Sequence, residues 1–215
     1  MTENTFLKGK ILPPLIKFAF PLMLSQLLQA LYGAVDLIVV GHYATTADFS
    51  AVSTGSQLMQ GITGIIIGLT TGVTVLIGQA IGAGDNNRAG AVSAGMIKLL
   101  LVISVLFSAV LLLLAPQALS LMKIPAAAAA PAADYVRICG AGTLFISAYN
   151  AISGLFRGVG NSKMPLVFIA VACIFNIIGD LILVGGFGMG AAGAAYATVF
   201  AQAVSVLFSV IYIAR

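Results

Sequence analysis

Apolar residues dominate this chain in long runs that charged side chains interrupt only at intervals. Uncharged stretches cover 18–35, 49–84, 99–122, 138–156, 164–179 and 181–214. A helix crossing the hydrocarbon core needs about 20 predominantly apolar residues. With their flanks, the stretches predict six transmembrane helices, near 15–41, 51–80, 91–114, 133–154, 164–184 and 191–213. The second stretch stays one helix because no turn cluster interrupts it before Ile81-Gly82-Ala83-Gly84-Asp85-Asn86-Asn87. The fifth and sixth are divided by Gly185-Gly186-Phe187-Gly188-Met189-Gly190, a run of helix breakers. A β-barrel is excluded, since its strands would read as alternating segments of about ten residues.

Composition agrees with the pattern. Of 215 residues, 60% are hydrophobic and 7% charged, too few charges to cover a water-soluble surface. Disorder is excluded by the same figures. The fold class is all-α, bilayer-embedded, and the surrounding lipid is its first partner.

The ten basic residues act as topology signals rather than as a nucleic-acid surface. With the N-terminus cytoplasmic, eight of them (Lys8, Lys10, Lys17, Arg88, Lys98, Arg157, Lys163 and Arg215) lie on or near the cytoplasmic side, and Lys123 and Arg137 lie outside. Six helices with both termini cytoplasmic fit the positive-inside rule. The lysines near the N-terminus precede no cleavage site, so the first helix is expected to be retained.

Two stretches rich in small residues bear on packing. Gly61, Gly64, Gly68 and Gly72 mark one face of the second helix, which predicts close packing within the bundle, with a sliding surface as the alternative. The alanine-rich 126–133 stretch, flanked by Pro125 and containing Pro131, predicts an external connection or a helix start. Cys139 and Cys173 lie in apolar runs without CxxC spacing and read as small buried side chains.

An inventory of catalytic residues disfavours an enzyme. The single histidine, His42, stands at the end of the first helix as an interfacial residue. There is no H-E-x-x-H, no G-x-S-x-G, no Walker A sequence and no CxxC. Two carboxylates remain. Asp36 and Asp180 each fall five or six residues before the outer end of their helix, roughly 8–9 Å below the boundary at 1.5 Å per residue. An ionisable group within a membrane helix is costly and points to function. No basic residue shares that depth. Gln29, Tyr32 and Asp36 form one stripe on the first helix, and Asn176 and Asp180 are i,i+4 on the fifth. Thr198 and Asn150 reach similar depths, giving an oxygen-rich group suited to a proton or Na⁺. Protonated aspartates acting as interhelical glue are the alternative, although amides or hydroxyls would serve that purpose at lower cost.

Several of these stretches together resemble the amino-terminal half of a multidrug and toxic compound extrusion (MATE) transporter. They are Pro21-Leu22-Met23-Leu24-Ser25-Gln26, Val35-Asp36-Leu37-Ile38-Val39-Val40-Gly41, Gly78-Gln79-Ala80-Ile81-Gly82-Ala83-Gly84-Asp85, Gly154 to Pro165, Asn176-Ile177-Ile178-Gly179-Asp180, and Gly190 to Thr198. The resemblance implies a twelve-helix protein of two six-helix lobes, of which residues 1–215 form one. It implies export of cationic, amphipathic drugs in exchange for H⁺ or Na⁺, with no other cofactor. It places the coupling site on Asp36, Asn176, Asp180, Thr198 and Asn150, and leaves Gln29 and Tyr32 as cleft-lining candidates. The second lobe has no counterpart in this sequence. That predicts either a piece of a longer protein or a half-sized protein completed by a second copy, most simply as a homodimer. A lipid-linked glycan flippase of the same superfamily and a six-helix binding subunit working with a partner are the other readings.

Overall fold

A computed structural model describes residues 12–214, all helix and short turn. The helices are α1 (Leu12–Tyr43), α2 (Thr46–Gly82), α3 (Asn86–Leu121), α4 (Ala126–Ala141), α5 (Thr143–Gly158), α6 (Lys163–Asp180) and α7 (Gly190–Ala214), with a π-helical segment, Leu181–Gly186, extending α6. Five helices are long and apolar enough to cross a membrane, and six spans result when α4 and α5 count as one. The chain is a multi-pass membrane protein. Lys8, Lys10 and Arg215, three of the ten topology signals, lie outside the described residues.

Local chemistry sets the helix ends. Thr45 and Asp48 form a reciprocal capping box that starts α2, with the Thr45 side chain accepting from the Asp48 N–H. Asp85 caps α3 by accepting from the Arg88 N–H at 2.9 Å. Pro21 removes one ladder bond inside α1, and the Ser25 hydroxyl donates to its carbonyl at 2.7 Å.

Two predicted elements differ in the structure. The fourth helix, expected at 133–154, begins at Ala126, so the alanine-rich stretch is a helix start whose Ala128, Ala132 and Ala133 are buried. It then breaks after Ala141 and resumes at Thr143 with a 49° bend. Gly142 sits at the break, and its missing side chain is required there. A Cβ would lie 2.4 and 2.7 Å from the two γ-carbons of Val199 on α7. The fifth predicted helix leaves α-geometry immediately after Asp180. The Phe187 N–H bonds to the Ile182 carbonyl, five residues back, as a π turn does.

α6 packs along α7 and α1, α2 along α3, α4 and α5, and α4 against α3 and α7. One buried cluster, including Val40, Val52, Leu111, Val136 and Ala194, fills the end nearest Thr45. A second, around Ile66, Ile77, Met96 and Leu100, joins α2, α3 and α5. Cys139 and Cys173 are buried free thiols, as their apolar surroundings predict. The glycine stripe of α2 does not pack within the bundle: a Cβ on Gly61, Gly64, Gly68 or Gly72 would meet nothing within 4 Å. The close approaches are elsewhere, at Gly55, Gly140, Gly142, Gly154, Gly158, Gly179, Gly190 and Gly193.

Candidate functional site

The two aspartates are both buried, Asp36 at 5% exposure and Asp180 at 0%. Asp36 lies on α1 one turn before the buried Val40, and its Oδ2 accepts a hydrogen bond from the Thr198 hydroxyl on α7 at 3.2 Å. Asp180 and Asn176, i,i+4 on α6, stand close enough for their side chains to interact with the same carboxylate. Yet Asp36 Oδ1, both Asp180 oxygens and both polar atoms of the Asn176 amide are buried and make no hydrogen bond. Three helices thus bring five carboxylate and amide oxygens together, of which Asp36 Oδ2 alone accepts a hydrogen bond.

Unsatisfied acceptors of this kind are costly, and two ionised carboxylates side by side would repel each other. A proton or a small hard cation answers both problems, and carboxylate and amide oxygens are the ligands such an ion takes. Among the described residues no Lys or Arg pairs with either carboxylate. Among the described residues the one ion pair joins Arg137 to Asp134 on the exposed side of α4, at 4.0 Å.

α7 holds the group together through three consecutive residues. Ala197 lies against Gly179 of α6, where a Cβ would come within 2.9 Å of the Ala197 Cβ and 3.3 Å of its Cα. Thr198 reaches Asp36. Val199 fills the space left at Gly142 by the α4–α5 bend. Glycines on both sides therefore let α7 approach closely enough for a short threonine side chain to span to α1. The π segment begins at Leu181, immediately after Asp180 ends α6, and such turns are frequent at functional sites.

A second anchor fixes α7 at its start. Asp48 Oδ1 accepts from the Ala191 N–H at 3.0 Å, while Oδ2 accepts from the Thr45 hydroxyl at 2.6 Å. One carboxylate thereby caps its own helix and the N-terminus of another. Gly190 has φ of +54°, and a Cβ there would strike the Asp48 carboxylate.

The other predicted site residues divide. Tyr32 belongs to the group: its buried hydroxyl lies beside Thr198 and Asp36 without a hydrogen bond of its own. Asn150 is buried, but its amide donates to the Ile146 carbonyl of its own helix at 2.8 Å. Gln29 is half-buried on α1, two turns before Asp36. His42 is exposed in the last turn of α1, edge-on to Tyr43 at 4.6 Å. Sequence reasoning missed Tyr135 and Cys139, which α4 places within electrostatic reach of Asp36 and Tyr32. The Tyr135 ring also lies where a side chain on Gly55 would have to go. A lone tyrosine just past an alanine-rich helix start was the available signal.

Comparison with known proteins decides the family. Residues 21–182 match the MatE family model. The chain belongs to the MATE family. It is 30% identical over 215 residues to a probable multidrug resistance protein, YpnP, of Bacillus subtilis, covering 100% of this chain and 48% of that protein. To the probable multidrug resistance protein NorM of Thermotoga maritima it is 29% identical, covering 87% of this chain and 41% of the relative. A solved outward-facing structure of a multidrug resistance MATE transporter superposes with a TM-score of 0.91 at 26% identity, covering 99% of this chain and 47% of that one. The MATE chain described here spans about half the length of the curated relatives it matches.

Proposed function

We propose that this chain supplies the amino-terminal lobe of a cation-coupled antiporter that exports cationic, amphipathic organic compounds in exchange for H⁺ or Na⁺. The observation that carries this reading is the buried group of Asp36, Asp180, Asn176 and Thr198, most of whose oxygens are unpaired and which, among the described residues, meets no Lys or Arg. A coupling ion enters from outside and binds between α1 and α6, with Asp36 and Asp180 sharing its charge and Thr198 and Asn176 completing the oxygen set. Neutralising the pair removes the repulsion that holds α1 from α6, so the outer halves of α1, α6 and α7 repack. Tyr32, one turn before Asp36, and Gln29 extend the polar stripe toward the cleft that holds substrate, and the buried Asn150 lies on the flanking helix. The substrate leaves as the stripe closes.

In this reading the lobe sits in the cell membrane with both termini cytoplasmic. It works opposite a second six-helix lobe, supplied by a longer chain or by a second copy in a homodimer. The coupling ion is the sole cofactor.

Asp36→Asn tests the proposal in a complete or reassembled transporter. The amide is close to isosteric, so folded protein in the membrane is expected at the parent level while export of a cationic dye falls to background. Lowering the pH or adding Na⁺ is expected to release bound dye from the parent and to have little effect on the variant. Equal ion-driven release from both proteins would remove Asp36 from coupling.

A further inference from the structure

Asp48 stands where α2 and α7 both begin, and it makes hydrogen bonds in both directions. Its Oδ2 accepts from the Thr45 hydroxyl at 2.6 Å and from the Thr45 N–H at 3.3 Å. Its Oδ1 accepts from the Ala191 N–H at 3.0 Å. Only Ala44 and Thr45 separate α1 from α2, so the Thr45 bonds tie the carboxylate to the end of α1 as well. An anionic acceptor suits the place, because the N-termini of α2 and α7 both carry partial positive charge. α7 is shaped to receive it. Gly190 has φ of +54°, and a Cβ there would lie 2.5 Å from Asp48 Oδ1 and 2.9 Å from Oδ2. Next to it, the Met189 N–H donates to the Leu183 carbonyl at 3.0 Å. The first turn of α7 is therefore fixed by both Asp48 and the π segment, and Ala191 is 1% exposed.

The helices that Asp48 ties together include the two that meet in the Asp36–Thr198 bond. Ala191, Ala194 and Thr198 follow at spacings of three and four, so they share a face of α7. At 1.5 Å per residue Thr198 lies about 10 Å along the axis from Ala191. On the other side, Asp36 lies on α1 two turns before its end at Tyr43. α1 and α7 each pack on α6 far more than on each other, so direct packing sets their mutual spacing only weakly. The Thr198 hydroxyl spans that spacing at 3.2 Å. An O–H···O bond of that length is already longer than usual, so a small shift of α7 decides whether it holds.

We propose that Asp48 is a positioning residue for the ion-coupling group: its carboxylate latches the start of α7 to the α1–α2 corner and thereby sets the reach of the Thr198 hydroxyl to Asp36. Asp48 touches neither ion nor substrate, and it acts through the placement of α7. The proposal rests on the coupling reading of the Asp36 group, and the latch itself can be tested apart from it.

The test follows thermal unfolding of the whole chain in lipid nanodiscs by dye labelling of the buried thiols of Cys139 and Cys173, across a range of Na⁺ concentrations and of pH. Stabilisation that an ion confers on the parent and not on Asp36→Asn reports binding at the group. Thr45→Ala weakens the α2 cap and spares the Ala191 bond, so it is expected to lower the melting temperature and leave the half-maximal ion concentration unchanged. Asp48→Ala is expected to shift that concentration about three- to tenfold, the range of one hydrogen bond. Thr198→Val should shift it at least as far, and the double variant no further than Thr198→Val alone, because one residue acts through the other. Should Asp48→Ala fail to fold, Gly190→Ala displaces the carboxylate from the α7 side and is expected to give the same shift. An Asp48→Ala protein with unchanged ion dependence would overturn the proposal and leave a helix cap, as would shifts that add in the double variant. A parent that neither ion stabilises sinks the coupling reading instead. The latch then stands if the melting-temperature losses of Asp48→Ala and Thr198→Val fall short of additivity in the double variant, and falls if they add.

Discussion

Two sets of glycines in this lobe look alike in sequence and behave in opposite ways. Gly142, Gly154, Gly158 and Gly179 each stand where a Cβ would come within 3 Å of a side chain on another helix. Gly61, Gly64, Gly68 and Gly72 meet nothing within 4 Å, although theirs is the longer and more regular stripe. The first set lets helices touch. Gly154 admits the Thr70 methyl group, and its carbonyl accepts from the Thr74 hydroxyl at 3.2 Å; Gly142 and Gly179 bring α7 to the aspartates. The second set leaves a smooth surface on the outside of the lobe, flanked by the exposed Gln57, Gln60 and Thr71. Small-residue spacing shows that a helix can be approached closely, but which of its faces is approached depends on the partner's position.

The largest effect is expected at Gly142→Ala. The new Cβ would overlap both γ-carbons of Val199, and a β-branched residue in a helix has one strongly preferred rotamer, so it cannot turn aside. Overpacking of this kind costs typically about 1–3 kcal/mol, or roughly 2–12 °C in melting temperature for a chain of this size. The buried thiols of Cys139 and Cys173 provide the readout, as thermal labelling by a thiol-reactive dye. Val199→Ala should restore most of the loss in the double variant, since it removes the atoms that clash. A double variant as unstable as Gly142→Ala alone would mean that the glycine serves the bend itself rather than the approach of α7.

Gly179→Ala sharpens the contrast next to the functional group. Its Cβ would meet the Ala197 Cβ at 2.9 Å and the helix backbone at 3.3 Å, so α6 and α7 must separate by a fraction of an ångström. The stability loss is expected at the lower end, about 1 kcal/mol. The functional effect should exceed it, because Asp180 follows Gly179 and Thr198 follows Ala197. Na⁺- or acid-driven dye release from a complete transporter is expected to require a higher ion concentration in this variant than in the parent. An unchanged ion dependence at reduced stability would separate the α6–α7 contact from the coupling group.

The spans were legible because hydrocarbon imposes a length and a composition that a single sequence must satisfy. The site was legible for a related reason: Asp36 and Asp180 are conspicuous where carboxylates are rare, and depth alone pairs them. Thr198 followed from the same depth argument, whereas Asn150 shares the depth but bonds to its own helix. Tyr135 remained hidden because a single tyrosine, here between Asp134 and Val136, has no periodic signature. The bend at Gly142 and the π turn after Asp180 were illegible for another reason. Both are one-residue changes in helix hydrogen bonding that tertiary contacts select, and the residues involved also occur in straight helices. The double role of Asp48 was half visible, since Thr-x-x-Asp announces its own cap but not a partner 143 positions away.

The smallest effect belongs to the open stripe. Gly68→Ala places its methyl in free space, and alanine is favoured over glycine in a helix interior by up to about 1 kcal/mol. The melting temperature is therefore expected to stay level or rise slightly, the opposite sign from Gly142→Ala. Gly64→Ala should behave in the same way, since its methyl also meets free space. A marked loss of stability in either variant would mean that the stripe is packed after all, and the two glycine sets would then share one role. Export by a complete transporter carries separate information. If the lobe stays stable but export falls, the smooth face of α2 must be meeting something beyond the lobe itself, and close approach would again be its purpose, with the contact made by another part of the assembled protein.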